Sequence, residues 1–175
     1  MGFGKAFLFS LLAFIGINFI FIIIYYAFVP TLGLDILFTY IQQYPILIVY
    51  FLFGPILSTP TNIFNWTIAE PFLYYSMDNL IIGLGYLIAL LIAAILAGRF
   101  GESKIQSFGA FLLTATISTT LVIVGVFLEP AFQAILTLTY GWVLDDILVL
   151  AIISCLINVL FYGFFAVLLS KVEYY

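Results

Sequence analysis

A chain of 175 residues that is 66% hydrophobic and 7% charged, with a mean hydropathy of +1.34, cannot cover a water-soluble surface. Its solvent must be largely lipid, which makes it an integral membrane protein. A net charge of −4, a single cysteine and no histidine argue against a nucleic-acid partner, an internal disulfide, a Cys-based zinc site and any imidazole chemistry.

The first element follows Lys5: an apolar run over residues 6–29, closed by Pro30. It is too long for a signal-peptide core and has no small-residue cleavage site, so it reads as a retained membrane span. N-myristoylation is excluded by Ala6, where the motif requires Ser or Thr. The stretch "TLGLDILFTYIQQY" then suits a short helix at the outer interface, with Tyr40 and Tyr44 at headgroup level.

Residues 44–66 are harder to place. Their apolar part is short and is broken by Gly54-Pro55 and Pro60. A segment of that length is expected to be re-entrant or interfacial; the alternative is a fifth span. Asn65 heads "NWT", the only Asn-x-Ser/Thr triplet, and is the candidate glycosylation acceptor. The neighbouring Pro60, Asn62 and Pro71 suggest irregular, accessible backbone.

A second span covers residues 79–98 and carries Gly85, Ala89, Ala93 and Ala97 at strict i, i+4 spacing. Such a stripe lets another backbone approach closely, either within the chain or on another subunit. Arg99 and Lys104 bound a short gap before a third span at residues 105–128. There Thr116, Thr119 and Thr120 fall at i, i+3 and i+4. After Pro130, "AFQAILTLTYGWVL" repeats the interfacial pattern, with Tyr140 and Trp142.

Asp145 and Asp146 open the fourth span, residues 147–170, which carries Ser154 and Asn158 one turn apart, with Tyr162 following. One aspartate is expected to cap this helix, as Asp78 would the second span; a cation site with Glu129 lacks the six or more oxygens Ca²⁺ requires. The polar residues of the third and fourth spans, with Asn18, read either as interhelical hydrogen bonds or as a polar path. Cys155 reads as a small packing residue.

Charge arbitrates the topology. With four spans and cytoplasmic termini, Lys5, Arg99, Lys104 and Lys171 all lie inside, as the positive-inside rule requires. Asp35, Glu70, Asp78, Glu129, Asp145 and Asp146 lie outside, and only Glu102 and Glu173 break the separation. Five spans would leave Lys5 on the wrong side. The plan of basic residue, span, proline and outer segment occurs twice, which reads as repeated hairpin grammar more readily than as duplication. No acidic or basic residue falls mid-span, and no nucleotide, hydrolase, metalloprotease or redox motif is present.

The expected protein is therefore an all-α, multi-pass protein of the cell membrane, in contact with lipid and with other subunits or copies of itself. No enzyme activity and no cofactor are expected. Its expected role is a non-catalytic subunit or scaffold of a larger complex; the alternative is a small-solute permease or substrate-capture component.

Overall fold

The computed structural model describes residues 2–29, 31–75, 77–141 and 143–170. Trp142 and Lys171 lie outside the described residues, as do the side chains of Tyr140 and Asp145. The fold is all-helical.

Four helices are long and apolar enough to cross a membrane: α1 (Gly2–Phe28), α6 (Met77–Phe100), α7 (Lys104–Leu128) and α9 (Leu144–Leu168). An apolar solvent offers no partner for backbone N–H and C=O, so long apolar runs close every hydrogen bond internally as α-helix. Between them lie α2 (Leu34–Gln43), α3 (Leu47–Phe53), α4 (Pro60–Phe64), α5 (Glu70–Leu73) and α8 (Pro130–Tyr140). This is a multi-pass membrane protein.

The turns between helices follow local chemistry. Ser103 accepts a hydrogen bond from the Gln106 N–H (3.2 Å) and caps α7. Glu129 accepts one from the Ala131 N–H (3.2 Å), with Pro130 at the first helical position of α8. Gly141 ends α8 at φ 70°, a left-handed conformation that favours glycine. One cap departs from expectation. The residue capping α9 is Val143, which makes no side-chain cap bond. The helix starts before the aspartates, so Asp146 already lies on helical backbone, where its charge faces the helix dipole but cannot cap. Asp78 likewise lies within the first turn of α6.

The bundle is built on small residues. Gly2, Ala6, Ser10, Phe14, Asn18 and Ile22 are buried at successive i, i+4 steps along α1. The most extensive helix pairing is α1 with α6. There a Cβ on Gly85 would come within 2.5 Å of the Phe21 Cβ, so only glycine permits this approach. Ala89, Ala93 and Ala97 are completely buried. The stripe on α6 thus packs inside this chain. Farther along, Gly98 meets the Ala166 carbonyl of α9 in the same way.

The broken segment between α2 and α6 is sharply bent at its middle. α3 continues as a 3₁₀ turn over Gly54–Leu57, and α4 runs through a π-helical turn over Asn65–Ala69 into α5. The two arms, Leu47–Leu57 and Pro60–Leu73, meet at 95°. Gly54, Pro55, Ile56, Leu57 and Ser58 at the tip are buried. The other ends of both arms, Tyr44 and Leu47 on one and Trp66 and Glu70 on the other, border one cavity. The two ends of the segment thus lie beside one another, and the chain has four helices able to cross a membrane, or five if this bent pair forms one span.

Two asparagines hold the tip. Asn18 Nδ2 donates to the Phe51 carbonyl (2.6 Å), and Asn158 Nδ2 donates to the carbonyls of Ile56 (2.8 Å) and Ser58 (3.0 Å). At 1.5 Å per residue, the tip lies roughly 15–20 Å along α1 and α9 from the cavity end, near the middle of a hydrocarbon core about 30 Å thick.

The backbone from Pro60 to Leu73 is helical, not irregular. Pro60 sits at the start of α4, where a missing N–H leaves nothing unpaired within that helix, and the wide turn precedes Pro71.

Candidate functional site

The described basic residues gather at one end of the bundle, where Glu102 is the acidic exception. Lys5 lies in the first turns of α1, Arg99 in the last turn of α6, and Lys104 at the start of α7. Asp35, Glu70, Asp78, Glu129 and Asp146 all belong to the opposite end.

At the acidic end lies a cavity of about 670 Å³, within the few-hundred to thousand Å³ range of small-molecule sites. α1 contributes Ile22, Tyr25 and Tyr26, and α2 with its following turn contributes Tyr40 and Tyr44. The entering arm supplies Leu47, Tyr50 and Phe51, and the returning arm Trp66 and Glu70. α6 adds Asn79, Ile82 and Tyr86, and α8 closes the side with Ala131, Ala134, Ile135, Leu138 and Thr139. Leu47, Tyr50, Phe51 and Tyr86 are buried, so they form the floor. Tyr40, Tyr44 and Leu138 are exposed and form the rim.

Among the described residues Glu70 is the one carboxylate on this lining. Its Oε1 accepts from Asn65 Nδ2 (3.0 Å) and its Oε2 from Asn79 Nδ2. Two neutral amides thus fix its orientation and leave its charge uncompensated. The π-helical turn just before it adds one residue per turn and sets the relative direction of Trp66 and Glu70, a distortion frequent at functional sites.

The rings are arranged at steep angles. Tyr25 and Tyr26 lie 5.6 Å apart at 84°, and Trp66 and Tyr86 lie 6.0 Å apart at 62°. In each pair one ring edge meets the other's face, the arrangement that the aromatic quadrupole favours.

The residues singled out from sequence distribute differently. Ser154 and Asn158 are buried in α9, and Thr119 is buried in α7. Thr116 and Thr120 are exposed, with Thr120 Oγ1 donating to the Thr116 carbonyl (2.8 Å). They do not join a polar path. The buried arc of α7 runs through Thr114, Ala115, Ser118, Thr119 and Val122, one step round the helix from the expected arc. The buried polar residues missed by pattern alone include Ser10, Thr114 and Ser118. Thr114 Oγ1 lies 3.2 Å from Ser10 Oγ and links α7 to α1. Ser118 Oγ donates to the Thr114 carbonyl (2.7 Å), and Thr119 Oγ1 to that of Ala115 (2.9 Å). These are hydrogen bonds within and between helices, not a lined passage.

Asn65 is exposed, but it sits on helical backbone with its amide bound to Glu70. Cys155 is a buried free thiol. Among the described residues no three His, Cys, Asp or Glu side chains converge as a metal site. Comparison with protein-family models, with curated proteins and with solved structures finds no match.

What the site offers chemically is shape, aromatic faces, two amides and a fixed carboxylate. Among the described residues it has no paired nucleophile and base.

Proposed function

We propose that this chain captures a small organic solute from the outer side of the cell membrane, in the cavity at its acidic end. The observation carrying this reading is the cavity itself: its size, its aromatic lining and the one oriented carboxylate. The sidedness rests on the positive-inside rule, with Lys5, Arg99 and Lys104 at the far end. Capture displaces the subunit or scaffold reading as first choice, because a purely structural subunit has no use for a carboxylate held between two amides inside an open cavity.

The test uses the full chain purified in neutral detergent. Solutes of graded charge and size are titrated while thermal unfolding is followed, and Ala134→Trp serves as a variant that fills the cavity from α8. Capture predicts saturable stabilisation of the native chain, lost in Ala134→Trp. A chain stabilised by no solute, and recovered with stoichiometric partner proteins, returns the assignment to the subunit reading.

A further inference from the structure

We infer that the occupant carries an organic ammonium group, quaternary or similarly weakly hydrated, held over the tyrosine and tryptophan faces and countered by Glu70. This rests on the capture reading and names the chemistry of the captured group.

Among the described residues six tyrosines and one tryptophan line the cavity. An aromatic ring presents negative charge at its face, so rings at steep angles to one another form a box that attracts a cation without needing to hydrogen-bond it. The pairs Tyr25–Tyr26 and Trp66–Tyr86, at 84° and 62°, supply such walls. A quaternary ammonium has no N–H to donate and is weakly hydrated, so it exchanges water for ring faces at little cost.

The charge points the same way. Among the described residues no lysine or arginine lines the cavity, whereas Glu70 does. Its two oxygens are engaged by the Asn65 and Asn79 amides, which hold a carboxylate in place and do not neutralise it. Asp35, Asp78 and Glu129 at the same end add to a negative field that concentrates cations and repels anions. A bare metal ion is disfavoured, because one carboxylate and neutral rings cannot replace its hydration shell. A neutral sugar would use the stacking faces and the hydrogen bonds but would gain nothing from the field.

The same ammonium chemistry is carried by free solutes and by phosphocholine lipid headgroups. Choline and tetramethylammonium are titrated against the full chain in maltoside detergent, read by Trp fluorescence and calorimetry, beside 3,3-dimethyl-1-butanol, the uncharged analogue of choline. The inference expects both cations to bind saturably and the neutral analogue about tenfold or more weakly. Glu70→Gln, which keeps the shape, should weaken choline by about tenfold and leave the neutral analogue unchanged, and Tyr40→Ala at the exposed rim should weaken choline as well.

Equal affinity for choline and its neutral analogue, or undiminished choline binding in Glu70→Gln, overturns the inference while leaving capture standing. Binding of neutral sugars with none of choline does the same. Binding of no probe overturns both. In nanodiscs, competition by phosphatidylcholine but not phosphatidylglycerol assigns the group to a lipid headgroup. Choline affinity equal in the two lipids assigns it to a free solute. Either result supports the ammonium group.

Discussion

Pro55 has no N–H, so the carbonyl four residues before it, Phe51, loses its helical donor, and the Ile56 carbonyl lies where the 3₁₀ turn gives way to the extended backbone of Ser58. Inside lipid, water cannot supply a donor to either. Asn18 and Asn158, each fully buried, reach in from α1 and α9 and donate to these same two carbonyls. Each asparagine thus serves a carbonyl left where the helical ladder is interrupted, and the two tie the tip to α1 and α9. Replacing Asn158 by Leu removes both its donors, and leaving a buried acceptor unsatisfied costs about 1–3 kcal/mol. Thermal unfolding in detergent should show that loss for Asn158→Leu and Asn18→Leu. Thr116→Val, on the exposed side of α7, should change stability by less than about 0.5 kcal/mol. A destabilisation of Asn158→Leu no larger than that of Thr116→Val would show that the carbonyls find other partners. In the sequence, each asparagine was legible as a polar group needing a partner. Its partner was not, because a carbonyl belongs to the backbone of every residue and only the fold selects which ones are stranded.

At the scale of elements, the long helices are the most legible part. Apolar runs longer than a bilayer core have one viable conformation, and Arg99 and Lys104 mark the gap between α6 and α7. The broken segment was legible in kind but not in extent. Its second arm contains Pro60, Asn62 and Pro71, which locally signal a loop, yet tertiary packing keeps it helical through the π-helical turn. The cavity was not legible. Its tyrosines come from four separate segments, and aromatic residues near span ends suit the headgroup region equally well. The small-residue stripe on α6 could be read from spacing, whereas its burial within the same chain needed the position of α1. Overpacking such a site costs about 1–3 kcal/mol. Ala89→Leu combined with Ala93→Leu should therefore lower thermal stability in detergent by at least that much. Leu84→Ala, on the more exposed side of the same helix, should have little effect. Equal effects would mean that α1 and α6 are not held together along the stripe.

The whole molecule is polarised along its axis. Between the basic and acidic ends lies a belt of exposed apolar side chains, including Leu148, Ile152, Leu156, Leu160 and Phe164 along α9. That belt matches lipid, so packing alone gives no up or down; orientation has to come from the few charges. Arg99 and Lys104 flank a short turn, with Lys5 close by: Gly2 of α1 lies against Glu102 in that turn. Lys5, Arg99 and Lys104 should therefore stay on the cytoplasmic side during insertion. Changing both Arg99 and Lys104 to Gln removes half of the chain's basic residues, because the total is four. The double variant should fold but insert in mixed orientations. A single cysteine placed at Asp35, in a Cys155→Ser background, reports which face is exposed. In the parent it should react with an impermeant thiol reagent from outside only, and in the double variant from both sides. Labelling of the parent from the cytoplasm alone would invert the molecule and turn its aromatic cavity inward. The cation-binding chemistry would survive that result, but capture from the outer side would not.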